Sequence, residues 1–245
     1  MINARSWTAC RVVALIGLAV SARPAVAEGF VPGAVVCLHR VQLPFAAGTA
    51  DARRTAIEQR IIAALRRESF VVVEPERVVA VQERVGKAAG GFYDPATGVL
   101  DGARYHDFNE RLARAFATDL RCNLRLVPSV AAVRARFESG LAQWDGASQQ
   151  VSSTGRMVLN AFAGTTESGW VAAFSLWLRL LELNGEEIAF RSVGIEAVVQ
   201  LAVLEDKDLM PEDRWLTDGV RLDAAIDSAL GVAGRTLRSS SSSVD

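Results

Sequence analysis

The dipeptide Asn184-Gly185 sits between two stretches of alternating apolar and polar residues, and it constrains this fold more than any other feature of the sequence. Leu176, Leu178 and Leu180 precede it on one side of an extended chain, and Ile188 and Phe190 follow it in a run that continues to Leu201. Asn-Gly accepts the positive φ angles of a type I′ turn, so the spacing predicts a long antiparallel hairpin. The amino-terminal half carries a different rhythm. Residues 34–43 form an apolar run rich in β-branched side chains and stopped by Pro44. Ile57, Ile61 and Leu65 then recur every four residues in a helix expected over 51–67, and residues 70–73 make a second strand ended at Glu74-Pro75. A strand, helix, strand opening requires a parallel pair with a right-handed crossover, whereas the hairpin must be antiparallel. The expected class is therefore α/β with a mixed sheet and helices mainly on one face.

The remaining periodicity fills in the order. Val78, Val81 and Val85 mark a short helix, and Phe108, Leu112, Phe116 and Leu120 mark a longer one. Residues 123–127 and 131–137 read as two strands, the second alternating Ala131, Val133, Ala135 and Phe137 with Arg134, Arg136 and Glu138. Residues 145–169, rich in Gly, Ser, Thr and Gln, are expected to be a loop with short strand pieces. Leu222, Ile226, Leu230 and Leu237 stripe a closing helix, and the serine run before the end is a frayed tail over 239–245.

The first 27 residues have the pattern of a secretory signal peptide. Arg5 and Arg11 precede a short apolar run over 12–20, Ser21-Ala22-Arg23-Pro24 breaks it, and Ala25-Val26-Ala27 offers the small-residue cleavage site, so the mature chain begins near Glu28. The run is too short to span a bilayer. One domain over 28–238 follows, without stable membrane insertion once the leader is removed. Export leaves Cys37 and Cys122 in an oxidising compartment, where they either pair as a disulfide or stay as two buried thiols. Cys10 lies before the apolar run, misplaced for lipidation. Of 27 basic and 28 acidic residues, the leader removes Arg5, Arg11 and Arg23, leaving 24 against 28, or about −4. That balance disfavours a nucleic-acid partner.

Catalytic signatures are scarce. His39 and His106 are the only histidines, and no His-Glu-x-x-His, Gly-x-Ser-x-Gly or phosphate-cradling glycine loop occurs. His39 reads as a hydrogen-bonded sheet residue, with a thiol–imidazole pairing to Cys37 as the sharper alternative. His106, beside Asp107, reads as a surface or capping residue. Asp94, Thr97, Asp101 and Asp107 offer oxygens without the spacing of a calcium loop, which favours turns and caps. Tyr93, Asp94 and Asp101, with Trp144 and Asp145 at a second turn, are the residues a ligand or interaction rim would use. No cofactor and no enzymatic activity are expected.

The pattern resembles the periplasmic α/β domains of the TolB amino-terminal part and of the curli secretion lipoprotein. It is carried by the first strand ending near Pro44, the arginine-rich helix, the 70–73 strand, the 108–116 helix and Asn123-Leu124-Arg125-Leu126-Val127-Pro128-Ser129-Val130, over about residues 30–235. The resemblance implies an envelope assembly, scaffolding or secretion component without catalytic machinery, and an envelope protein as partner. The chain lacks the lipidated cysteine of the secretion-channel proteins, and 145–169 does not supply a pair of lipid-facing strands, so no pore is expected and no functional residue is carried over. The expectation is an exported protein that docks a partner through a sheet edge or the long hairpin, with a small-ligand binder as the alternative.

Overall fold

The computed structural model describes residues 33–45, 50–90, 93, 97–201 and 208–238. The expected leader over 1–27, Asp94 and the 239–245 tail lie outside the described residues. The chain order is β1 (Val35–Leu38), α1 (Ala50–Arg67), β2 (Val71–Val73), α2 (Pro75–Ala89), α3 (Gly102–Asp119), β3 (Leu124–Glu138), β4 (Leu141–Trp144) and β5 (Ala147–Gln150). There follow α4 (Thr154–Ala163), β6 (Ser168–Leu181), β7 (Glu187–Ala197), β8 (Val199–Gln200), β9 (Asp208–Leu209) and α5 (Gly219–Arg238). Seven strands form one mixed sheet, which makes the protein an α/β fold. β1 lies parallel between β2 and β3, and β3, β6 and β7 are antiparallel neighbours.

Every residue of β1 is apolar, so both of its faces need cover. Val36 and Leu38 pack with Ile57, Ile61, Ile62 and Leu65 of α1 and with Leu222 and Ile226 of α5. Cys37 turns the other way, into a cluster with Val78 and Val81 of α2 and Leu112 and Phe116 of α3. Helices thus flank both faces of this end of the sheet, where the sequence suggested mainly one. The parallel opening leaves no choice, because α2 and α3 are apolar along one stripe and have no other surface to bury.

β3 is one long strand rather than two. Its pairing with β6 runs from Arg125 opposite Leu181 to Glu138 opposite Ser168, straight through Pro128. Pro128 is tolerated because its carbonyl, which accepts from the Gln42 amide at 3.2 Å, points to the β1 side. Its nitrogen faces the same way, so no bond to β6 is lost.

Beyond Ala131 the sheet curls. Two-residue turns at Ser139-Gly140 (φ 51° and 82°) and Asp145-Gly146 (φ 41° and 75°) have positive φ at both positions, the type I′ signature, and fold β4 and β5 back beside β3. The concave side encloses Ala135, Phe137, Ala142, Trp144, Val151, Val171, Ala173, Val199 and Leu201. The expected type I′ turn at Asn184-Gly185 is not formed. Glu182 and Glu186 pair instead, Gly185 N donates to the Glu182 carbonyl at 3.0 Å, and Gly185 alone takes positive φ, at 96°, while Asn184 does not. This is the three-residue alternative, a turn closed by one left-handed residue. Asn184 contributes through its side chain, whose Oδ1 accepts the Glu186 amide at 2.8 Å.

The 145–169 stretch holds a helix where a loop was expected. Ser153 caps α4 by accepting from Arg156 N, and Gly164 at φ 63° ends it. None of its residues is buried, and Val158, Leu159 and Phe162 face solvent. Arg156 Nε donates to Glu167 at 2.8 Å, and Asn160 to the same carboxylate at 3.3 Å, pinning the helix to the strand start. Among the described residues no helix is long and apolar enough to cross a membrane.

Candidate functional site

Cys37 and Cys122 are bridged, with their α-carbons 5.7 Å apart. The parallel pairing of β1 with β3 brings the two segments together. The Cys37 sulfur is therefore committed, and its pairing with His39 as a reactive thiol does not arise. His39 is buried, with its ring edge-on to Phe116. Arg125 Nε donates to His39 Nε2 at 3.1 Å, and the Arg125 guanidinium lies over the Phe116 ring, 5.3 Å from its centroid. Burial, reinforced by the Arg125 charge, pushes the His39 imidazole down to about 3, so it is neutral at physiological pH. Since Nε2 accepts, the proton sits on Nδ1; the Gln82 Nε2 position lies 3.4 Å from it, and the Nδ1 proton is accepted when the Gln82 amide is turned to present its oxygen there. A neutral histidine fixed between an arginine and an amide is a packing unit.

Of the acidic residues singled out in the 90–107 region, Asp101 and Asp107 are spent locally. Asp101 Oδ1 accepts from the amides of Ala103 and Arg104, both at 3.1 Å, and caps α3. Asp107 pairs with Arg111 at 2.7 Å. His106 is not at the helix start, which lies at Gly102, and contacts Glu110 at 3.2 Å one turn on. Tyr93 is exposed and bridges Leu100. Among the described residues no three His, Cys, Asp or Glu side chains gather as a metal site would require.

Trp144 and Asp145 serve the curled end of the sheet. Trp144 is 7% exposed, and its indole nitrogen donates to the Phe174 carbonyl at 3.1 Å. The Asp145 carboxylate accepts from the hydroxyls of Ser175 and Ser192, each at 2.6 Å, and its carbonyl accepts from the Gly194 amide at 3.0 Å. Further along, the Gln149 side chain acts as a stretch of strand backbone. Its Oε1 accepts from Ala197 N at 2.9 Å, and its Nε2 donates to the Ala197 carbonyl at 3.4 Å. β7 also carries an irregular register with β6 at Phe174/Ser175. These bonds close the β4–β5 hairpin onto the second half of β7. Tyr93 and Asp101 belong to the α2–α3 connection instead, so the sequence-derived rim residues fall in two separate parts of the fold.

The first half of β7 stays open. On β3, the groups of Leu126, Pro128 and Val130 bond towards β1 and Gln42, which turns those of the intervening residues towards β6. Propagating the alternation across β6 directs the amides and carbonyls of Phe190 and Ser192 away from the sheet. The Gly194 amide, two residues on, points the same way and finds Asp145. Among the described residues no strand covers β7 before that point. Beside this edge Trp177 and Phe190 stack edge to face, with ring centroids 5.8 Å apart, and both are more than one-third exposed. Arg179 holds Glu187 at 2.8 Å on the same face, and Ile188 is exposed at the turn end. Sequence reasoning named Phe190 only as hairpin and passed over Trp177. Its outward position was readable from the flanking Leu176 and Leu178, which claim the buried face.

No family model and no curated protein matches this chain. Among solved structures, the chain is similar to a neuraminyllactose-binding hemagglutinin homologue of Helicobacter pylori, at 10% identity and a TM-score of 0.31, over 84% of this chain and 83% of that one.

Proposed function

We propose that this chain is an exported, non-enzymatic envelope protein that docks a partner by adding the partner's extended segment to the open edge of β7. The supporting observation is the pair of outward-facing residues Phe190 and Ser192. Their backbone groups have no strand partner among the described residues, while the same strand is bonded to the β4–β5 hairpin at Gly194 and Ala197. An unpaired edge offers main-chain hydrogen bonds as affinity, and the adjoining Trp177–Phe190 pair offers apolar surface as selectivity. The signal-like leader and the Cys37–Cys122 bridge favour an oxidising compartment. The resemblance of the sequence to periplasmic envelope domains points the same way.

A photo-crosslinking residue placed at Ser192, with Val220 as an exposed control on α5, tests this reading in cells. Adducts of defined mass are expected at position 192 and none at 220. Phe190→Pro removes the outward amide at a position where proline fits an edge strand, and it should abolish the adducts while the far-UV spectrum is kept. Adducts equal at both positions, or surviving Phe190→Pro, would exclude strand addition. Amino-terminal sequencing of the mature protein should begin at Glu28, and a retained leader would refute export.

A further inference from the structure

We infer that Arg191 makes the β7 edge selective for an extended segment that carries a carboxylate side chain, an inference that rests on strand addition at that edge. Arg191 stands opposite Leu178, on the sheet face away from Trp177. Its Nη1 donates to the Phe190 carbonyl at 3.0 Å, which is the outward acceptor at the centre of the free edge. Its Nε is buried and has no hydrogen-bond partner. Among the described residues no carboxylate forms an ion pair with it, whereas Arg179 on the other face of the hairpin already holds Glu187.

These facts describe a guarded edge. An incoming strand needs the Phe190 carbonyl that Arg191 occupies, and displacing the guanidinium leaves a cation stripped of its acceptor. A buried N–H without a partner costs free energy, and moving the group without replacement adds to that cost. A carboxylate on the incoming residue opposite Arg191 solves both problems. Cross-strand neighbours place their β-carbons roughly 4.5–5.5 Å apart, within reach of a side-on carboxylate that takes Nε and one Nη together. The guanidinium then swings off the Phe190 carbonyl, which becomes available to the partner's amide. Residues on either side of that acid face the Trp177–Phe190 surface and suit apolar side chains. The fit is local rather than a matter of overall charge, because the chain itself is slightly acidic, at −1 for the whole sequence.

Two peptides test this on the purified, disulfide-bonded chain: a nonapeptide of alternating valine and glutamate, and its counterpart with glutamine for every glutamate. Binding is followed by tryptophan fluorescence, and the site by hydrogen-exchange protection of the Phe190 and Ser192 amides. The glutamate peptide should bind about tenfold tighter, as expected for a charge-assisted bond made to an arginine whose Nε is shielded from water. Arg191→Gln should bring the two affinities within about twofold of each other, chiefly by improving the glutamine peptide. Arg191→Lys, a cation without the planar fork, should fall between. Equal protection by both peptides in the parent protein, or a preference that survives Arg191→Gln, would overturn the carboxylate inference while leaving strand addition standing. Protection by neither peptide in either protein would overturn both. A parent protein that dimerises and protects the same amides without peptide would assign the edge to a second copy and also overturn it.

Discussion

At the scale of single residues, Gly194 carries more of the fold than its size suggests. A β-carbon there would lie 2.5 Å from the Trp144 indole nitrogen and 2.6 Å from the Ala147 β-carbon, with the tryptophan held by its bond to Phe174. Gly194→Ala should therefore destabilise by about 1–3 kcal/mol through overpacking, measurable as a lower urea midpoint. His39 makes a second prediction. Its folded value of about 3 lies below the unfolded one of 6.5, so the unfolded chain binds the proton more readily between them. The stabilisation is present in full above about pH 6.5 and is lost as pH falls towards 3, at about 1.4 kcal/mol per pH unit within that window. Long-range ¹⁵N spectra should show one neutral tautomer protonated on Nδ1 down to about pH 4. An imidazolium signal at pH 6 would contradict the geometry. Gly194 was not legible, because it lies in an unremarkable run; the hydrogen-bonded role of His39 was, but its partner was not, since Arg125 arrives from β3, far along the chain.

At the scale of elements, legibility followed burial. α1, α3 and α5 were readable because Ile57, Ile61, Leu112, Phe116, Leu222 and Ile226 repeat at helical spacing and are buried. α4 was not, because it buries nothing and is bounded by a serine cap and a glycine that resemble loop chemistry. β3 was split by its proline, whose harmless direction depends on β1. The hairpin was placed correctly and its turn was not, since loop length is decided by the pairing of Glu182 with Glu186. The disulfide was left open because its geometry depends on β1 and β3 being neighbours. It closes a separation of 85 residues, so replacing both Cys37 and Cys122 by alanine should cost up to about 4 kcal/mol in chemical denaturation. A loss below about 1 kcal/mol would mean that the unfolded chain is already constrained. Both sulfurs are buried, so reductant alone should act slowly until the protein unfolds.

At the scale of the whole molecule, two buried carboxylates make stability fall as pH rises. Burial raises the pKa of Glu58, whose Oε1 accepts the Val41 amide at 2.9 Å, and likewise that of Glu196, which accepts the Leu216 amide. A raised folded value means that the native state holds the proton more tightly. That stability is present in full below the unfolded value near 4.5 and is lost as pH rises through the folded one. Glu58→Gln and Glu196→Gln keep an acceptor oxygen without the charge, so both should raise Tm at pH 8 and leave it nearly unchanged at pH 4. A gain at pH 4 equal to that at pH 8 would rule out ionisation as the cause. The mixed α/β class and the parallel opening were visible in the sequence, whereas the two-sided helix cover and the curled end were not, because both arise from which strands become neighbours. Glu138 and Ser168 face each other across β3 and β6, so the chain leaves and re-enters this ladder at one spot. Residues 139–167 are thus an excursion whose covalent entry and exit share one doorway, while Trp144, Asp145 and Gln149 hold it to β6 and β7. Replacing them with a two-residue Asn-Gly link should yield a shorter protein that still assembles its helical half, with the Cys37–Cys122 bridge formed, which makes the curled end an exchangeable cassette.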